Sequence, residues 1–93
     1  MVTAIVLINT HHGRINEVAE ALADIPEFSE VYSVGGSYDI VGILRVETNE
    51  DIADMVTSRM VRIEGIENTE TMIAFKTYSR HDLEQVFSLG MGS

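Results

Sequence analysis

Val31-Tyr32-Ser33-Val34-Gly35-Gly36-Ser37-Tyr38-Asp39-Ile40-Val41-Gly42-Ile43-Leu44-Arg45-Val46 is the stretch on which the fold turns. Two runs rich in β-formers flank a Gly-Gly pair. Glycine accepts positive φ without a Cβ clash, so the pattern predicts a tight strand reversal after Val31–Val34. The long strand that follows, Tyr38–Glu47, alternates: Ile40, Gly42, Leu44 and Val46 point one way, and Val41, Ile43 and Arg45 point the other. Asp39 opens this apolar strand, where a carboxylate is costly unless a partner meets it. The hairpin's own N–H groups can satisfy it in an Asx-type turn. Alternatively, spare loop N–H groups beside an acid can hold the two charged ends of a free amino acid.

Outward from the hairpin, Val2–Asn9 reads as a strand that is apolar on both faces. Val2, Ala4, Val6 and Ile8 lie on one face, Ile5 and Leu7 on the other. Gly13–Ala23 switches to helical spacing, with Ile15, Val18, Ala19 and Leu22 at i, i+3, i+4 and i+7, and Pro26 stops it. Thr48 with Asp51 forms the pattern of a capping box for a second helix, whose buried stripe is Ile52, Met55, Val56, Met60 and Ile63. Arg59 and Arg62 suit the C-terminal end of that helix, and Gly65 is expected as its C-cap. Thr69–Thr77 is the fourth strand, with Ile73 and Phe75 on the face opposite Met72 and Ala74. Ser79 with Asp82 predicts a short last helix through Phe87, and Gly90–Ser93 a frayed tail.

The order β-α-β-β-α-β predicts one α+β domain over 1–93, with a core at 2–78 and a helical tail at 79–93. A faint internal echo supports it: Ile25-Pro26-Glu27-Phe28 leads into the second strand as Ile63-Glu64-Gly65-Ile66 leads into the fourth. Two such halves build a ferredoxin-like sandwich, an antiparallel sheet with both helices on one face. Two helices cover only that face. The other would leave Ile5, Leu7, Val41 and Ile43, or their counterparts on the opposite parity, in water, so a homodimer paired through the sheet face is expected.

Composition narrows the function. Hydrophobic residues make up 45% of the chain and charged residues 23%, which marks a globular domain. Six Lys and Arg against fifteen Asp and Glu give a net charge of −9. That charge opposes binding to nucleic-acid phosphates or to anionic lipid. The chain has no cysteine, so disulfides, thiolate metal sites and thiol nucleophiles are excluded. Val2–Ile8 is too short to span a bilayer, and no basic segment precedes it. A cytoplasmic protein is expected.

Chemistry is sparse. Most carboxylates sit at helix starts or on helix surfaces, and Asp39 is the exception. His11 and His12 are adjacent in a loop without ligand spacing, and His81 stands alone, so exposed histidines and no metal are expected. No nucleophile–base set and no nucleotide-binding glycine loop is present, and no cofactor is implied. Thr69 and Thr71, two apart, place two hydroxyls on one face of the last strand, either as ordinary β-formers or as bonds to a polar ligand. Met55, Met60 and Met72 read as core filler.

The run Gly36-Ser37-Tyr38-Asp39-Ile40-Val41, then an amphipathic helix, then Ile63-Glu64-Gly65-Ile66-Glu67-Asn68-Thr69-Glu70-Thr71 resembles the effector (RAM) domain of the Lrp/AsnC feast/famine regulators. The likeness covers Val2 to about Tyr78. It implies a ferredoxin-like fold that dimerises through its sheets, dimers closing into an octamer or decamer, and free amino acids bound between dimers. By the same resemblance, Asp39 takes the ligand ammonium, backbone groups at Gly35, Gly36 and Tyr38 meet its other polar end, and Thr69 and Thr71 lie along the pocket. The family's helix-turn-helix has no counterpart in these residues. A stand-alone, non-enzymatic sensor is therefore expected, one that modulates its own assembly, a full-length relative or an enzyme. The alternatives are a small dimeric α/β-barrel enzyme of the cofactor-free monooxygenase or isomerase type, and a ring former without a ligand.

Overall fold

A computed structural model describes residues 1–78 of the 93. The expected helix from Ser79 through Phe87, the tail after it and His81 lie outside the described residues. The elements run β1 (Val2–Thr10), α1 (Ile15–Ala23), β2 (Phe28–Ser33), β3 (Ile40–Val46), α2 (Asn49–Asp54) and β4 (Ile66–Ala74). All neighbouring strands are antiparallel, in the order β2-β3-β1-β4. This is the ferredoxin-like α+β arrangement that the alternation predicts.

Strand parity separates the two faces. Ala4, Val6 and Ile8 of β1 and Ile40 and Leu44 of β3 have no solvent exposure. They pack under Val18 and Leu22 of α1 and under Ile52, Met55 and Met60 on the second helical segment. Phe28 joins them from β2, with its ring against Gly42 of β3. On the other face the register aligns Ile43, Ile5 and Met72 in one row and Val41, Leu7 and Glu70 in the next. No element of the described chain covers these rows. Met72 is 45% exposed there, so it is not the core filler its hydrophobicity suggests.

Three local expectations are corrected. The Gly-Gly reversal is not a tight turn: six residues, 34–39, separate the strands, and the Val34 N–H donates to the Asp39 carbonyl at 2.9 Å. Only Gly36 of the pair uses positive φ, at 119°. Strand β4 starts and ends three residues earlier than Thr69–Thr77, because its extent follows β1, with Ile66 opposite Thr10 and Ala74 opposite Thr3. The second helix is not one regular α-helix capped by Gly65. After α2 it opens into a π-helical turn, Met55–Arg59, and closes with a 3-10 turn, Met60–Arg62. The Thr57 hydroxyl donates to the Ala53 carbonyl at 2.6 Å, the kind of side-chain insertion that disturbs a helical ladder.

Gly65 serves the entry to β4 instead. Ile63 is already extended, and Gly65 turns at φ 101° where a Cβ would stand 2.9 Å from Val18 Cγ2. Its carbonyl accepts from the His11 N–H at 2.8 Å, which fastens the loop after β1 to the start of β4. The predicted capping box is present. Asp51 N–H donates to Thr48 Oγ1 and Thr48 N–H to Asp51 Oδ2, both at 3.1 Å.

Candidate functional site

Asp39 ends the loop 34–39 and fixes it to the end of β1. Its N–H donates to the Ile8 carbonyl at 3.0 Å, extending the β1–β3 ladder by one residue. Its carboxylate does not bond the loop's own amides, so the Asx-type expectation fails. Oδ2 instead accepts from the Thr10 N–H at 2.9 Å and from Thr10 Oγ1 at 3.3 Å. Thr10 is the last residue of β1 and is 7% exposed. Two donors on one oxygen set the carboxylate's direction. Among the described residues Oδ1 takes no bond. Asp39 borders an open concavity of about 430 Å³ together with Gly13, Ile15, Asn16, Ser33 and Val34.

Tyr38 points elsewhere. Its hydroxyl donates to Glu70 Oε2 at 2.5 Å, and Glu70 sits opposite Leu7 on the uncovered sheet face. That bond, with lesser contributions from burial and from the Glu70 charge, holds the Tyr38 phenol above its ordinary value. Tyr32 makes the same kind of pair with Glu30 on the same face, with the same effect on its phenol. Gly35 and Gly36 are exposed in the loop.

Thr69 and Thr71 lie on the helix-covered side of β4, opposite Ile8 and Val6. They open into different hollows from Asp39. Thr71 borders an apolar slot of about 300 Å³ between β4 and α2, lined by Ile52, Ala53, Val56, Thr57 and Ile73. Its Oγ1 is buried and has no hydrogen-bond partner among the described residues. Thr69 borders a neighbouring hollow of about 280 Å³ with Val56, Met60 and Ile63. Strand β1 lies between Asp39 and these threonines, so two strand spacings, roughly 10 Å, part them within one chain.

The sequence did not disclose Thr10 as the partner of Asp39 or Glu70 as the partner of Tyr38. The contacts span 29 and 32 residues. The available signals were faint: Thr10 continues the covered parity of β1, and Glu70 falls in register with the apolar Leu7 and Val41. His11 and His12 are exposed, and among the described residues no three His, Asp or Glu side chains gather as a metal ion requires. Among those residues, too, no helix is long and apolar enough to cross a membrane.

Residues 3–83 match the family model described as the Lrp/AsnC ligand binding domain. The chain belongs to the Lrp/AsnC family. It is 40% identical over 80 residues to the HTH-type transcriptional regulator FL11 of Pyrococcus furiosus, a match covering 83% of this chain and 50% of that regulator. The Pyrococcus horikoshii FL11 is 38% identical over 78 residues, covering 81% and 49%. This Lrp/AsnC chain thus spans about half the length of the curated relatives it matches.

Among solved structures, TTHA0845 of Thermus thermophilus aligns at a TM-score of 0.80 and 44% identity, covering 86% of this chain and 100% of that one. The E. coli regulator AsnC shares the fold at a TM-score of 0.79 and 19% identity, covering 84% and 53%. A Neisseria meningitidis transcriptional regulator, solved as a complex with L-Met, shares it at 0.77 and 12% identity, covering 85% and 53%.

Proposed function

We propose that this Lrp/AsnC domain senses a free amino acid at a site completed by two copies of the chain, and that occupancy of the site shifts its assembly. The observation that carries this reading is the separation of two complementary half-sites. One is Asp39, which borders the concavity with one carboxylate oxygen held by Thr10. The other is the apolar slot at Thr71, with its buried hydroxyl unpartnered. A carboxylate suits an ammonium, and an apolar slot with one hydroxyl suits an aliphatic side chain and a polar atom. Within one chain β1 parts the two half-sites, a gap of two strand spacings, roughly 10 Å, between their backbones. The loop of one protomer set against the β4 slot of another removes that gap. The L-Met complex of the Neisseria regulator is consistent with this fold receiving an amino acid.

Assembly has a first step in the uncovered sheet. Ile5, Leu7, Val41, Ile43 and Met72 form an apolar surface that also carries Glu30, Glu70 and Arg45. A surface with both charge signs around an apolar centre is self-complementary under a two-fold axis, so a second copy is its occupant. Sheet-paired dimers then meet through loop and slot, and a ring of dimers, octameric or decameric, follows when that contact repeats. A ligand held between dimers binds one assembly state better than another, and that difference in affinity is the regulatory signal to a partner regulator.

Thermal melts of the purified protein with each of the twenty amino acids, and light scattering on the same samples, test the reading. At a hundredfold excess over Kd a ligand adds about 2.7 kcal/mol, which for a domain of this size raises Tm by roughly 15 °C. Asp39→Ala is expected to abolish that rise and leave the dimer intact. A wild-type protein whose Tm responds to no amino acid sinks the proposal.

A further inference from the structure

The loop 34–39 is tethered on two sides, and the tethers face different surfaces. Asp39 ties it to β1 through Ile8 and Thr10, beside the concavity. Tyr38, the residue before it, ties it to β4 through Glu70 at 2.5 Å. Glu70 shares a row with Leu7 and Val41 in the uncovered sheet, where apolar side chains need a second copy to shield them. Among the described residues no ion pair reaches Glu70.

Covering that face strips water from the Glu70 carboxylate. The loss is tolerable only while a donor stays on it, and an unpaired buried charge is strongly destabilising. Among the described residues Tyr38 is the donor that reaches Glu70, and it is half-buried where it stands.

We propose that Tyr38 is a positioning residue that couples the amino-acid loop to the dimer face: its hydroxyl on Glu70 makes sheet pairing depend on the loop's conformation, so binding at Asp39 and pairing of two copies bias each other. This rests on the effector reading above. A ligand that draws Tyr38 away from Glu70 weakens pairing, and one that holds it there strengthens pairing. By linkage, pairing changes ligand affinity by the same factor.

Sedimentation of the purified protein over a dilution series, first without amino acid, measures the dimer dissociation constant. Tyr38→Phe keeps the ring and removes the donor, and is expected to weaken the dimer about tenfold or more. Glu70→Gln removes the charge and keeps an acceptor, so it should remain at least as tight as wild type. The double variant should recover most of the loss seen in Tyr38→Phe alone. A brace of purely local importance would lower Tm and leave the dissociation constant unmoved. An unchanged constant in Tyr38→Phe, or a double variant as weak as the single, overturns the proposal.

The series is then repeated with each of the twenty amino acids in excess. The wild-type constant should shift with the active amino acid, and the Tyr38→Phe constant should shift less. Equal shifts in both proteins overturn the coupling alone. No shift of either Tm or dissociation constant in wild type brings down the effector reading and the coupling together.

Discussion

The two faces of the sheet are built from the same kinds of residue and do different work. On the covered face Ala4, Val6, Ile8, Ile40 and Leu44 have lost all contact with solvent beneath the helical layer. On the open face Ile5, Leu7, Val41 and Ile43 are only half-buried, and Met72 and Tyr32 are about half exposed. Polar groups also divide between the faces. The covered face holds the unpartnered Thr71 hydroxyl at its β4 edge, whereas the open face carries Tyr38–Glu70 and Tyr32–Glu30 as satisfied pairs. A face that packs against its own chain tolerates few polar groups. The open face keeps two of its acids, Glu30 and Glu70, under tyrosine hydroxyls. Folding is thus assigned to one side of a single sheet, and under the proposed function assembly falls to the other.

The sharpest break of that contrast is a matched pair of substitutions. Leu44→Ala empties a fully buried position and is expected to cost about 2–5 kcal/mol, much of the 5–15 kcal/mol that holds a domain folded. Ile43→Gln, one residue along on the open face, should leave the protomer's secondary structure intact and abolish the concentration dependence of Tm that a dimer shows. Urea titration and circular dichroism, with melts at several concentrations, read both. Equal destabilisation at the two positions would end the division of labour.

Next in size is Gly42→Ala. A Cβ at Gly42 would lie 2.7 Å from Phe28 Cε1 and 2.9 Å from Cδ1, and Phe28 is itself 6% exposed and hemmed in by the core. Overpacking of that kind costs about 1–3 kcal/mol. Phe28→Leu in the same chain should return part of the loss, a coupling that two independent sites would not show. Additive effects on the urea midpoint would mean the ring is free to move aside.

How much of this was legible in the sequence follows from where the information lies. Period-two alternation in Val2–Ile8 and Ile40–Val46 gave the two faces, because parity is a local property of an extended chain. The Thr48–Asp51 box was equally local and equally clear. The π-helical turn left a trace that the helical stripe obscured. Met55 and Met60, each 1% exposed, are five residues apart, a spacing an uninterrupted α-helix does not bring to one face. Contacts made by the candidate site were hidden for the opposite reason. Asp39 meets Thr10, and Tyr38 meets Glu70, only after strand order and register have been set.

Thr71→Val is expected to have a smaller effect with two signs. Removing a buried hydroxyl that has no partner among the described residues and replacing it with a methyl group of similar size should stabilise the unliganded protein by about 1 kcal/mol. If the hydroxyl serves the ligand, the same change should reduce the amino-acid-induced rise in Tm. A stabilised protein with an undiminished ligand response would return Thr71 to the role of a simple strand residue.

The smallest expected effect concerns what keeps the helical cover on its face. Glu27, just before β2, receives Arg59 of the π-helical turn at 2.7 and 3.4 Å, a two-pronged pair across 32 residues. The Arg59 hydrogen bond, more than the attraction of its charge, holds the Glu27 carboxyl below its ordinary value of 4.5. A carboxyl lowered in the folded state stabilises fully above its unfolded value, and its contribution is lost as pH falls through the folded one. Stability should therefore decline below about pH 4.5 more steeply in wild type than in Glu27→Gln. Both side chains remain more than a third exposed, at 38% and 37%, so solvent and salt screen the pair and the difference should shrink in high salt. Urea midpoints from neutral to acid pH measure it. Parallel curves for the two proteins would show that packing of Met55 and Met60, rather than this ion pair, holds the second helical segment over the sheet.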